Sequence, residues 1–274
     1  MKQLAVWLLI FGSCCLSIRS VAQVAVPFKS KNGDSTNTVY IWHTDTLREV
    51  QKDSVSIQSL FGHVKLQSEK TLFYCDSLSM NHKENFIEAF GNVHINDNDS
   101  TDIYSQYMKY FVDTKYIIFQ KNVTLKDGRG TLSTQELTYD MNQHIGNYLN
   151  NGKVVNQQTT VTSREGTYYA DTKDMYFKKD VVLKDPAYDL TADSLLYNND
   201  QQLATFITTT FIKDSSGRTI RTREGFYDLK NHRAQFGKRP TIKDGSQTIT
   251  ADDIHFDDSV GISTATGNAV YRDT

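Results

Sequence analysis

The chain has 274 residues, with 30 Lys and Arg against 32 Asp and Glu, for a formal net charge of −2. That mild acidity argues against a nucleic-acid binder, which needs clustered cations to neutralise phosphates. Beyond Ile18 no apolar run approaches the ~18–20 residues that span a bilayer as a helix.

In chain order, residues 1–23 read first, as a secretory signal peptide. Lys2 supplies the positive start, Leu4 to Ile18 the apolar stretch, and Ser20-Val21-Ala22 a small-x-small cleavage site. A periplasmic, exported protein is the expectation. Gly12-Ser13-Cys14 also offers a weak lipidation site, with Phe11 where a small aliphatic is usual, which would tie the protein to the outer membrane. Cys14 and Cys15 fall inside the signal, leaving Cys75 as the mature cysteine. No internal disulfide and no paired-cysteine zinc site is expected, and Cys75 reads as a packing residue. Residues 24–38, with Lys29-Ser30-Lys31-Asn32-Gly33-Asp34, read as a polar, disordered lead-in.

From residue 39 to 274 the chain repeats itself about every 30 residues. One anchor is a Gly-x-Val-like step whose third residue is Val64, Val93, Val123, Val154, Val181, Phe211, Pro240 and Ala269. The other is acidic or amide: Asp45, Asp76, Gln106, Gln135, Glu165, Asp193, Glu224 and Asp252. After the first anchor apolar residues alternate, as in Val64/Leu66, Val93/Ile95, Val123/Leu125 and Val181/Leu183. Two residues past the second stand Leu47, Leu78, Met108, Leu137, Thr167, Leu195, Phe226 and Ile254, with Met80, Tyr110, Tyr139, Tyr169, Tyr197 and Phe256 two further on. Period-two alternation rich in Val, Ile, Thr, Tyr and Phe predicts half-buried strands, and the Asn/Asp/Gly clusters between them predict tight reversals. Small residues precede the acidic anchor at Thr44, Cys75, Thr134, Ala192 and Ala251, which suggests close backbone approach.

Two strands per unit over eight units give roughly 16 strands, and at ~4.8 Å each such a sheet runs ~75 Å. An apolar column in every unit must be buried, so the sheet is expected to fold over itself along an apolar seam. The groove or core candidates are Val64, Leu66, Leu78, Val93, Ile95, Met108, Val123, Leu125, Leu137, Val181, Leu183, Leu195, Phe211, Phe226 and Ile254. Pro240 removes a ladder donor and suggests a bulge or local edge.

No catalytic residue and no cofactor is expected. The seven histidines show no ligand spacing, and Asp97-Asn98-Asp99 with Asp102 lacks the Gly and Glu of a calcium loop, so it reads as a solvated turn. Eight recurring acids and amides suit a structural strand-end feature better than a glycosidase pair. A glycan-acting parallel β-helix enzyme and a surface adhesin or scaffold remain as rivals; two strands per turn-rich unit favour antiparallel hairpins.

Phe90-Gly91-Asn92-Val93-His94-Ile95, Thr191-Ala192-Asp193-Ser194-Leu195-Leu196-Tyr197 and Tyr74-Cys75-Asp76-Ser77-Leu78 resemble the OstA family of exported β-proteins. The resemblance covers residues 39–274. It implies an elongated, V-shaped antiparallel β-jellyroll, open along one side, that holds the acyl chains of lipopolysaccharide in its groove. It further implies end-to-end strand pairing with other OstA/Lpt-type β-jellyroll proteins. The function it implies is a non-enzymatic periplasmic bridge or chaperone in lipopolysaccharide transport to the outer membrane. Thr274 falls a few residues into a new unit, which reads as a fragment or as a last strand open for pairing.

Overall fold

Alternating apolar runs joined by short polar reversals produce an antiparallel ladder, and the computed structural model shows it as one 25-stranded sheet. The structure describes residues 24–29, 36–52, 55–257 and 259–274, so the expected signal peptide and residues 30–35 of the lead-in lie outside it. The first strands are β1 (Val24–Lys29), β2 (Thr36–His43), β3 (Thr46–Lys52), β4 (Val55–Ser68), β5 (Thr71–Asn81), β6 (Phe86–Asp97), β7 (Thr101–Phe111) and β8 (Tyr116–Lys126). Next come β9 (Thr131–Asp140), β10 (Ile145–Tyr148), β11 (Gly152–Asn156), β12 (Thr159–Ser163), β13 (Glu165–Tyr169), β14 (Asp174–Lys184) and β15 (Tyr188–Asn198). The last are β16 (Leu203–Phe206), β17 (Thr210–Asp214), β18 (Thr219–Thr222), β19 (Glu224–Asp228) and β20 (Arg233–Gly237), then β21 (Thr241–Asp244), β22 (Gln247–Thr250), β23 (Asp253–Asp257), β24 (Ile262–Thr266) and β25 (Val270–Asp273).

Every pairing is antiparallel. The described residues therefore contain no parallel coil, and the β-helix reading falls. Many short strands are halves of one longer strand broken at a bend, as β10 and β11 or β24 and β25. Joined across those bends, β2 to β25 amount to sixteen bent strands.

The bend explains the first anchor. In β6 it is Gly91-Asn92, both at positive φ, where the register slips between Phe90 and Val93. Gly62-His63, Lys121-Asn122, Lys179-Asp180, Lys238-Arg239 and Gly267-Asn268 repeat it. Opposite Gly91, Asp76 accepts from Asn92 Nδ2 at 2.9 Å, and a Cβ on Gly91 would lie 2.4 Å from Asp76 Oδ2. Position 91 thus needs glycine both for its left-handed backbone and for the carboxylate seated against it. At two of the bends that begin with lysine, a longer acid meets it: Lys179–Glu165 at 2.5 Å and Lys238–Glu224 at 2.7 Å. Pro240 sits just past such a bend, where no ladder N–H is required.

Inside the bend runs the small-residue column, complete as Thr44, Cys75, Ser105, Thr134, Ser163, Ala192, Thr222 and Ala251. Its hydroxyls donate to carbonyls two residues on: Ser105 to Tyr107 at 3.0 Å, Ser163 to Glu165 at 2.7 Å, Thr222 to Glu224 at 2.8 Å. Cys75 packs there without such a bond; burial pushes its thiol up to about 12, so it stays protonated and inert at neutral pH.

The bends divide the sheet into two arms that face each other. Thirteen of the fifteen core candidates point between them, none more than 3 % exposed. Phe211 and Phe226 do not. Val181 and Thr210 both pair with Ala192, so Thr210 holds the inward position and Phe211 is turned out, 53 % exposed. Glu165 and Ser194 both pair with Lys178, which makes Arg164 the equivalent of Asp193, and Glu224 at its own bend follows Glu165. Two units therefore carry Arg164 and Arg223 at the anchor, with the acid one place later. Phe226 consequently pairs with Gln235 on the outer side, and Tyr227 and Tyr168 face inward in place of Phe226 and Tyr169.

Val24–Lys29, expected to be disordered, forms β1 against β2 and buries Val26 and Phe28. The alternation Val24/Val26/Phe28 carried that signal.

Candidate functional site

A lipid site in this architecture must lie between the arms, and the two halves of the molecule differ there. From β4 to β15 the interior is filled by its own side chains. Phe73 and Tyr110 meet across it with ring centroids 5.4 Å apart, and Ile103, Ile117, Phe119, Leu137, Leu183 and Leu195 have no exposed surface.

The rim opposite the bends is latched in this half. Asp97, 3 % exposed, accepts from Thr71 Oγ1 at 2.7 Å and from Tyr139 Oη at 3.0 Å, with His144 Nδ1 3.0 Å away. It is thus a buried cross-arm acceptor, not part of a solvated turn. One unit on, Asp127 accepts from Tyr168 Oη at 2.9 Å, Asn199 Nδ2 at 3.4 Å and the backbone N–H groups of Arg129 and Gly130 at 3.0 and 2.8 Å. Lys115–Glu69 at 2.5 Å, Arg129–Asp200 at 2.9 Å and Asn156 Nδ2 to Asn199 O at 3.1 Å continue the seam.

The electrostatics suit such a seam. Burial alone would raise the Asp127 carboxyl, but the Gly130 and Arg129 N–H groups, Tyr168 and Asn199 outweigh it and hold it below the usual carboxylate value. Burial, then the neighbouring carboxylates, push the Tyr139 and Tyr168 phenols well up, so both remain neutral donors.

Past β15 the character changes. Tyr188 faces Tyr227, ring centroids 4.3 Å apart, and the Arg218 guanidinium lies 5.0 Å from the Phe256 ring centre. Two cavities open between the arms. One, about 200 Å³, is lined by Tyr188, Ile212, Ile220, Tyr227, Ala234 and Phe236, with Asp214 and Ser216 also on its wall. The other, about 150 Å³, is lined by Ile242, Ile249, Ile254 and Ala265, with Asp244 and Gln247. Arg218 and Phe256 belong to both walls, so the cavities are neighbours.

Larger hollows lie elsewhere. One of about 620 Å³ sits at the bend among Asn122, Gln135, Arg164 and Asp180; one of about 550 Å³ surrounds outward-facing Phe211 with Lys213, Arg221 and Lys243. Neither is enclosed by both arms.

Of the fifteen expected residues, Ile254 lines an inter-arm cavity; twelve others fill the interior and two face outward. The cavity walls Ile212, Ile220, Ile242 and Ile249 were missed, although each stands in a readable period-two alternation. A protein-family model described as OstA-like protein matches residues 36–193, from the start of β2 to the Asp193 anchor. No curated protein matches the chain. The match covers more than half of the sequence and most of the bent-strand ladder with its closed interior: the chain belongs to the OstA-like protein family.

Proposed function

We propose that this protein is a non-enzymatic periplasmic bridge or chaperone that binds lipopolysaccharide on its way to the outer membrane. The OstA-like family is associated with lipopolysaccharide transport bridging. The observation that carries the reading is the opening of an apolar interior between the arms beyond β15. A lipid crossing water exposes its methylenes at ~0.8 kcal/mol each, so ~40 of them cost ~30 kcal/mol, and a walled apolar path removes most of that. In the closed half a hydrocarbon chain has no place until the arms part, so lipid engages the open half first. Twelve buried candidates, Val64 to Leu195, then serve as core in the resting state, while Ile254 lines the open part.

Partners fit at the ends. β24 and β25 pair on one side only among the described residues, and Ile262, Val270 and Tyr271 beside that edge are exposed. Another OstA/Lpt-type jellyroll extends the sheet there by strand addition.

A photo-crosslinking amino acid placed singly at Ile249, Leu137 and Phe211 tests the proposal. With purified lipopolysaccharide, Ile249 is expected to give a lipid adduct and outward Phe211 none. Adducts at neither site, or equal yields at both, contradict it and leave an adhesin or scaffold as the better reading.

A further inference from the structure

One column of the repeat changes character along the chain. It stands one residue past inward Leu183, Ile212 and Ile242, so it points away from the interior. In the closed half it reads Gln67, Asn96, Lys126 and Val155. From β14 onward it reads Lys184, Lys213, Lys243 and Arg272, 29, 30 and 29 residues apart. Asp189, Thr219 and Thr248 stand on the strands between, which makes Asp189 the one acid in that part of the row. Arg221 adds a cation in the next outward row, directly opposite Phe211, its guanidinium 5.9 Å from the ring centre. Among the described residues none of these five cations is ion-paired. Lys213, Arg221 and Lys243 surround the hollow of about 550 Å³ at Phe211.

The opposite arm carries the opposite sign. Its outward row reads Asp174, Asn198, Leu203, Asp228, Arg233 and Asp257, strand by strand. The single cation there is tied to Asp257 at 3.0 Å. The open half thus has one basic and one acidic outer face, in a chain of net charge −2. At ~4.8 Å per strand the four column cations span about 29 Å. The hollow holds only the middle two of them, so a small anion would engage part of the row and an extended negative surface all of it. An acidic protein would need an apolar centre to its interface. Outward Phe211 and Val270 are four strands apart, ~19 Å, with Arg221, Thr241 and Thr250 between them. We propose that this outer face seats on an anionic phospholipid bilayer, its lysines and arginines against headgroup phosphates and the Phe211 ring among the headgroups. The seat lies on the outside of the sheet and does not depend on what the interior carries.

Flotation of the exported protein with vesicles tests the seat. Vesicles of phosphatidylcholine and phosphatidylglycerol at about 3:1 bind it, and vesicles of phosphatidylcholine alone do not. Roughly 1 M salt, where the Debye length is ~3 Å, releases it. Lys213→Gln with Lys243→Gln weakens binding to the mixed vesicles about 25-fold, or about fivefold per cation. Arg221→Gln, about fivefold weaker, replaces the pair should it lose its near-ultraviolet signature. Arg233→Gln, which removes a cation from the acidic arm, binds as wild type. Binding to neither vesicle, equal binding to both, or lysine variants that bind as wild type overturn the proposal. So does a loss in Arg233→Gln equal to that of the lysine pair. Uptake through a lipid held between the arms would be indifferent to salt and to the lysines, and so counts against it too. Lipopolysaccharide is itself anionic, so the Phe211 crosslinking control is read in the same high salt, which screens this face. No adduct at Ile249, alongside lysine-dependent vesicle binding, would sink the transport reading and leave this one standing.

Discussion

The half from β4 to β15 and the half from β16 to β25 are built from the same repeat, yet the two cavities described between the arms open from the end of β15 onward. Both have bent strands, inward aliphatic residues and small residues at the bend. They differ at the rim. In the first half the reversals carry Asp97 and Asp127, each buried and each bonded across to the opposite arm by tyrosine. In the second, the turn Asp214 is held by its own neighbours, Ser216 and Arg218. The interior then ends in Tyr188 and Phe256 where the first half has a sealed polar seam.

The largest effect that would sharpen this contrast comes from burying a charge. Leu137→Asp, fully buried in the closed half, is expected to cost ~4 kcal/mol or more in urea unfolding. Ile249→Asp, partly buried beside a cavity, is expected to cost about half as much or less; equal losses would mean that the second half is as tightly closed as the first.

The latch ranks next. Asp127→Ala strands the Tyr168 hydroxyl and the Arg129 and Gly130 amides, at about 1–3 kcal/mol. Hydrogen exchange is expected to quicken in β13 and β15 and to stay unchanged in β20 to β23. Acid acts on the same groups. The folded-state value of Asp127 lies below the ordinary 3.8, so its stabilisation is complete above 3.8 and is lost as pH falls through the folded value. Amide protection at the closed rim, taken relative to the intrinsic exchange rate at each pH, should fall once the pH drops below 3.8; protection that holds until the whole molecule unfolds would remove the carboxylate from the seam.

The smallest effect is expected at Phe211→Ala, where an outward ring contributes within ~0.5 kcal/mol, whereas an inward residue of that size would cost several.

Much of the architecture was legible because it repeats. Val93/Ile95 and Leu78/Met80 show the strands, whereas Gly91-Asn92 and Asp76 were legible as repeating anchors and not as a bend with its partner. The register of single units was less so. Arg164-Glu165 and Arg223-Glu224 place an acid one residue after the true anchor, and Thr210 hides the inward position beside the more conspicuous Phe211. The latch left no local trace, since Asp97 and His144 are 47 residues apart and Asp127 and Asn199 are 72 apart. Contacts set by the stacking of units on opposite arms cannot be read from the period of either arm. Nor can emptiness: Ile212 and Ile242 alternate as regularly as Ile95 and Ile103, and only the width of the fold separates lining from filling.

The most direct test is where a hydrocarbon chain comes to rest. A crystal of the full chain grown with a monoacylglycerol brominated along its chain should give anomalous peaks between the arms, near Phe236, Phe256 and Ile242. Peaks confined to the outer face around Phe211, or between the arms from β4 to β15 with the latch intact, would contradict the division into a closed and an open half.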